Sequence, residues 1–282
     1  MHCLRGPLET ILMLSADQES PALAAGHRAI STTVPIVEEM DGLVSLIFDD
    51  QDLQSCMFRH APDALALGYT RTMMGFLLFQ EAPSHIGMIG LGGGSLVKYC
   101  YRHLPDTRMT VAEINRDVIA LREQFHIPPD DARLSVRCID GARFVSDAAY
   151  QFDVLLVDGF DAGGLPAALG SPAFYQHCRD RLREHGVFAA NFLTDDPNLG
   201  CYLSGFRAAF GSSVAIAPAE ASANNIIAFA WKSDAAHPPL ETLIERAARH
   251  ADRQSVDLAE AAVRIELGMR YDWQQFGLPG TR

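Results

Sequence analysis

Four glycines within five residues, Gly90, Gly92, Gly93 and Gly94, follow the apolar run of "IGMIGLGGGSLVKYCYRH" and precede a segment with helical spacing. A turn of this kind lets backbone N–H groups approach a ligand that a side chain would exclude, and many unrelated nucleotide sites use it. Carboxylates then recur where later apolar runs end. Glu113 lies in "VAEI", Asp140 and Gly141 follow "LSVRCI", and Asp158 and Asp161 follow "FDVLLV". An acid about twenty residues beyond a glycine turn is placed to accept both hydroxyls of a ribose, which leaves Asp140 placed for an adenine amino group. Taken singly, each acid is a solvated strand end, and D-x-x-D after a strand is also the chemistry of an Asx turn. A P-loop would need GK[ST], whereas this turn continues "GGGSLVK" with Lys98 too far into the helix. "GLGGGS" departs only slightly from the dinucleotide pattern GxGxxG, but Asp140 and Asp158 fit a nucleoside with a reactive side arm better. That points to an S-adenosyl cofactor.

Such a series needs a scaffold that brings strand ends together. From His85 onward apolar strands alternate with helical segments: "IGMIGL", a helix over 95–102, "RMTVAEI", a helix over 117–125, "LSVRCID", a helix over 142–148, then "FDVLLVD". "GVFAANFL", a helix near 196–210, "SVAIAPA" and "NIIAFAW" complete about seven strands, the last pair a hairpin. This pattern predicts an α/β fold with a doubly wound, mostly parallel seven-stranded sheet whose ligands bind at the carboxyl ends of the strands. Before it, "PIVEEMDGLVSLIFDDQDLQSCMF" reads as a small antiparallel β element with hairpin turns at "DG" and "DDQD", and "PDALALGYTRTMMGFLLF" as a linking helix. The expected division is a poorly ordered leader at 1–32, the β element and linking helix at 33–82, the S-adenosyl-binding domain at 83–235 and amphipathic helices at 236–282.

Composition narrows the function classes. The chain has 282 residues, 48% hydrophobic, enough for a well-buried core, and a formal charge of -12 with no basic cluster, so nucleic acid is a poor partner. Six scattered cysteines without a CxxC pair suit a reducing cytoplasm, and ten histidines without ligand spacing predict no metal. No apolar run has the length of a membrane span.

The segment from about Val34 to Trp231 resembles the spermidine synthase family of aminopropyltransferases, which have a class I methyltransferase-like fold behind a small N-terminal β domain. The resemblance rests on "IGLGGGSLVKYCYRH" for the glycine motif, "VAEI" for the ribose strand, "DGARFV" for the adenine-side Asp-Gly and "FDVLLVDGFD" for the catalytic strand. "SPAFYQHCRDRLREHGVFAAN" resembles the next helix and strand. It implies that Gln54 and Tyr69 line the nucleoside thioether and acceptor pockets, that Glu113 and the adjoining Ile114 bind the nucleoside, that Asp140 contacts adenine, and that Asp158 is catalytic with Asp161 beside it. It also implies a small-molecule amine as acceptor, methylthioadenosine as product and a homodimer. Three departures stand out. Gly93 occupies the position of the family's Asp that holds the donor amine, Asp161-Ala162 replaces Asp-Pro, and "APAEASANNIIAFAW" replaces a Tyr-Pro-rich segment. The first leaves both S-adenosylmethionine and its decarboxylated form as donors. The expected function is amine alkylation of the aminopropyl type. The alternatives are a methyltransferase on the same scaffold and a non-catalytic nucleoside-binding protein.

Overall fold

In the computed structural model of the chain, residues 34–48, 52–147, 149–161, 163–232 and 237–269 are described. The expected leader and the end of the C-terminal segment lie outside them. The chain opens with β1 (Ile36–Met40), β2 (Leu43–Phe48) and β3 (Asp52–Phe58) in an antiparallel sheet of that order. Asp41 and Gly42 join the first two as a two-residue loop with both φ positive, the conformation that Asp-Gly favours and that matches strand twist. The linking helix proves to be two pieces, α1 (Gly68–Met73) running straight into a 3-10 helix at Met74–Leu78 whose side chains are all buried.

The large sheet comprises β4 (His85–Ile89), β5 (Arg108–Glu113), β6 (Leu134–Cys138), β7 (Phe152–Val157), β8 (Leu182–Leu193), β9 (Val214–Pro218) and β10 (Asn225–Trp231). Its order is β6-β5-β4-β7-β8-β10-β9, parallel from β6 to β8 and antiparallel where β10 pairs with β8 and β9. This is the expected doubly wound, seven-stranded α/β fold behind a small antiparallel element. Strand β7 shows why its sequence is apolar throughout: Val154 and Leu156 enter the core on one face, Phe152, Leu155 and Val157 the core on the other. The small sheet shares the first of these cores through Val44, Leu46, Phe48 and Met57.

Helices α2 (Ser95–His103), α3 (Arg116–Ala120), α4 (Gly141–Ser146), α5 (Pro172–Arg181) and α6 (Leu199–Phe210) flank the sheet, with α7 (Leu240–His250) and α8 (Leu258–Met269) after it. Two ends differ from the sequence pattern for local reasons. The helix expected from Asp196 starts at Leu199 because the Asp196 carboxylate accepts the Asn198 N–H at 2.8 Å and holds an Asx turn ahead of it. The strand expected from Gly186 starts earlier, at Leu182, where the Lys232 carbonyl accepts the His185 N–H at 2.9 Å. Among the described residues no helix is long and apolar enough to cross a membrane.

Candidate active site

The strand order reverses between β4 and β7, so the loops leaving these two strands diverge and open a crevice. Gly90 and Asp158 begin those loops. The strand ends are so close that a Cβ on Gly90, whose φ is +91°, would lie 2.0 Å from the Asp158 carbonyl oxygen. Gly92 differs from its neighbours. Its φ is +51°, but a Cβ there would meet only Ser55, at an ordinary contact distance of 3.7 Å, so the turn is uncrowded at this position. Gly93 is closed instead: a Cβ would lie 2.7 Å from Ser55 Oγ and 2.8 Å from the Phe125 ring. Gly94 caps α2 in a left-handed conformation.

Glu113, at the end of β5, reaches back to this turn. Its carboxylate accepts the Leu91 N–H and the Asn115 N–H, each at 2.8 Å, one on each oxygen, so each oxygen keeps a lone pair for a further donor. Burial pushes its pKa up, partly offset by the N–H groups of Asn115, Leu91, Ile114 and Gly92. Ile114, next to Glu113 at the end of β5, is 43% exposed and leaves an apolar side chain on the surface there. Asp140 caps α4 by accepting the Arg143 N–H at 2.8 Å with one oxygen, and Gly141 lets that helix pack on β4, since a Cβ would sit 2.4 Å from Ile89.

Asp158 is held on both of its oxygens. Tyr69 Oη donates to Oδ2 at 3.0 Å and Asn191 Nδ2 donates to Oδ1 at 3.1 Å. Burial raises its pKa, and these two neutral donors only partly restore the charged form. Tyr69 is itself held well above its ordinary pKa by burial and by the Asp158 charge, so it stays a donor. Helix α1 brings Tyr69 to this point because the segment after β9 clamps it. Arg71 pairs with Glu220 at 2.8 Å, Thr72 Oγ1 accepts the Glu220 N–H at 2.9 Å, and a Cβ on Gly68 would overlap the Glu220 carbonyl. The segment "APAEASANN" thus fastens the helix that carries Tyr69.

The structure therefore gathers the glycine turn, Glu113, Ile114, Asp140, Gly141, Tyr69 and Asp158 along one edge of the sheet. Asp161 belongs to the same loop, where its Oδ1 accepts the Gly163 N–H at 2.6 Å as in an Asx turn. Gln54 is half-buried beside Ser55 at a register shift in β3, a bulge that breaks the alternation of side chains. Two residues escaped the sequence reading. Ser55, 5% exposed, lies under Gly92 and Gly93 with its Oγ 3.4 Å from Ser95 Oγ. Asn191 is buried in β8, and its signal was a lone amide within "VFAANFL". No group of three or more His, Cys, Asp or Glu among the described residues is arranged to hold a metal ion.

The spermine/spermidine synthase domain matches residues 66–226, more than half of the chain. The chain belongs to the spermine/spermidine synthase family. Membership places it among transferases. A polyamine aminopropyltransferase of Neisseria meningitidis is 35% identical over 221 residues, covering 78% of this chain and 82% of the relative. One from Chromobacterium violaceum is 32% identical over 231 residues, covering 82% and 88%. Among solved structures, a probable spermidine synthase from Corynebacterium glutamicum superposes with a TM-score of 0.64 at 18% identity, over 86% of this chain and 95% of that one. A spermidine synthase in complex with the transition-state analogue AdoDATO gives 0.62 at 19% identity, over 88% and 86%. Human methyltransferase-like protein 13 gives 0.58 at 23% identity, over 70% and 92%. These structures share the fold.

Proposed function

We propose that this family member transfers an aminopropyl group from decarboxylated S-adenosylmethionine to a small amine and releases methylthioadenosine. The observation that carries the reading is Asp158, a carboxylate at the switch point held by two neutral donors and, among the described residues, no cation, beside a glycine turn that is uncrowded at Gly92. Glu113 takes the ribose hydroxyls, Asp140 the adenine side, Ile114 the face of the base, and Gln54 and Tyr69 border the reacting arm. The names of the curated relatives support the same chemistry.

The acceptor arrives as an ammonium with an ordinary pKa near 10 and must lose a proton before its lone pair can attack. Asp158 orients that nitrogen and accepts the proton, while Tyr69 and Asn191 keep the carboxylate in place. The new bond joins nitrogen to the carbon beside the sulfonium. The carbon–sulfur bond breaks with its electron pair going to sulfur, which leaves as a neutral thioether. Asp161 adds negative potential for the cationic acceptor.

Gly93 favours a second reading in which intact S-adenosylmethionine binds. No acid stands at that position, and the space a side chain would take is filled by Ser55 and Phe125. One calorimetric series on the whole chain, with S-adenosylmethionine, its decarboxylated form and methylthioadenosine, compares the donors. Product analysis completes the test, because methylthioadenosine marks propyl-type transfer and S-adenosylhomocysteine marks methyl transfer. Tighter binding of the decarboxylated donor with methylthioadenosine release is the expected result; S-adenosylhomocysteine as the sole product overturns it.

A further inference from the structure

We infer that Asn225, which does not touch Asp158, is a positioning residue for it, setting by way of Asn191 which atom of an amide meets the carboxylate. The inference rests on the reading of Asp158 as the proton acceptor. Three amide and hydroxyl groups form a chain leading away from the crevice. Asn191 Nδ2 donates to Asp158 Oδ1 at 3.1 Å, Asn225 Nδ2 donates to Asn191 Oδ1 at 3.0 Å, and Ser222 Oγ donates to Asn225 Oδ1 at 2.7 Å. Each donor in the chain faces an acceptor, so the orientations of the two amides are coupled. A hydroxyl donating to the Asn225 oxygen leaves its NH2 for Asn191, and an NH2 against the Asn191 oxygen turns the Asn191 NH2 toward the acid. A reversed Asn191 would set its carbonyl oxygen against an anionic oxygen, two acceptors without a proton between them.

Topology explains why this chain lies where it does. Asn191 follows Ala190, the residue paired with Val157 at the end of β7, so it stands beside Asp158, the next residue. Asn225 opens β10, the antiparallel neighbour of β8, and Ser222 sits in the connection between β9 and β10. Asn191 is 4% exposed, so no water competes for its amide.

Few other groups act on this carboxylate. From α1 the titratable side chain facing Asp158 is Tyr69, a neutral donor to its other oxygen. Arg71 and Glu220 are paired with each other, Asp161 is turned to the Gly163 N–H, and Glu113 to Leu91 and Asn115. The orientation of Asn191 is accordingly one of two polar contacts that decide how readily Asp158 stays ionised.

The test compares Asn225→Asp with Asn225→Leu in the full chain. An aspartate at 225 offers acceptors only and draws the Asn191 NH2 to itself, so the Asn191 oxygen turns to Asp158. The acid limb of kcat at saturating acceptor should then move up by about one pH unit. Leucine at 225 merely releases Asn191, which can still donate to Asp158, and should move the limb by less than half as much. A packing role would give the reverse order, since the apolar residue alters the polar pocket most. Methylthioadenosine affinity, measured on both variants, verifies that the site is folded; if both lose it, Asn191→Asp and Ser222→Ala are used, with limb shifts upward for each. Asp158→Asn serves as the control for the underlying reading. Unchanged turnover in Asp158→Asn overturns the role of Asp158, whereas lost turnover there with a wild-type acid limb in Asn225→Asp overturns the positioning role alone.

Discussion

Strand β7 carries an aspartate at each end, and the two are treated in opposite ways. At the amino end, Asp153 accepts the Ser84 N–H at 2.9 Å, the Ser84 hydroxyl at 2.7 Å and the His85 N–H at 2.8 Å, while Arg183 Nη1 reaches both its oxygens at 2.9 and 3.0 Å. Burial alone would raise its pKa, but Ser84, Arg183 and His85 outweigh it and hold the carboxyl below its ordinary value. At the carboxyl end, Asp158 is desolvated with two neutral donors, and its pKa is raised. Asp153 has its cation built in and ties β4 to β7 and β8. Asp158 has none among the described residues, which under the proposed function leaves it for the ammonium of the acceptor. Desolvation makes a carboxylate both costly to keep and strong toward a cationic substrate.

The largest expected effect separates these roles by rate. Asp158→Asn keeps the side chain's shape and should lower turnover by about a hundredfold or more, equivalent to about 2.7 kcal/mol in the barrier. Asp153→Asn should leave turnover within about twofold at temperatures where both proteins are folded. Steady-state release of methylthioadenosine measures both, and equal losses would erase the distinction between the two ends.

A second comparison concerns affinity at the same edge. Glu113→Ala should weaken methylthioadenosine binding by about 1 to 3 kcal/mol, because the ribose hydroxyls lose a charged acceptor. Calorimetry reads this directly, and wild-type affinity would leave Glu113 serving only the Leu91 and Asn115 N–H groups. Gly92→Val probes the uncrowded turn beside it. With a β-branched residue at a positive φ, binding should be lost while circular dichroism changes little.

Stability should divide the aspartates with opposite signs. Asp153→Ala should cost about 2 kcal/mol in urea unfolding at pH 7. Its folded pKa lies below the unfolded one, so this stabilisation is present above about pH 4 and is lost as pH falls through the folded value. Asp158 is reversed. The folded state holds its proton more tightly than the unfolded chain does, so stability falls as pH rises from the unfolded value through the raised folded one. Asp158→Asn should therefore unfold at no lower urea concentration than wild type at pH 7, although it is nearly inactive; a clear drop in its midpoint would contradict the sign.

The smallest effect is expected at Asp161. Asn at this position still accepts the Gly163 N–H but lacks the charge, so Asp161→Asn should raise the acceptor KM about threefold with kcat nearly unchanged, the scale of a solvent-screened charge. No change in KM would reduce Asp161 to its turn.

The sheet was legible because its inner strands had to be apolar on both faces and several strands ended at a turn residue or an acid. Strand "FDVLLV" and its following Asp158 are one such unit, whereas the edge strand "LSVRCI" before Asp140 showed itself by alternating apolar and polar residues. The glycine turn was legible for a similar reason, since the φ of Gly90 and the close approach of the Asp158 carbonyl both call for glycine. The partners of these residues were harder to see. Ser55, Asn191 and Asn225 are small polar residues within or at the start of strands, and composition does not distinguish a hydrogen-bonding core residue from a site residue.

What the sequence by itself determined is therefore the alternation of strands and helices, and with it the acids at the strand ends, because periodicity and backbone conformation act over a few residues. Tertiary structure alone decided which acid would be left without a cation among the described residues. Arg183 meets Asp153 across 30 residues, Tyr69 meets Asp158 across 89, and the chain from Asp158 to Asn225 crosses from β7 through β8 to β10. The ionisation of a carboxylate depends on burial and on the groups within a few ångströms, and those distances exist only once the sheet has closed its strand order.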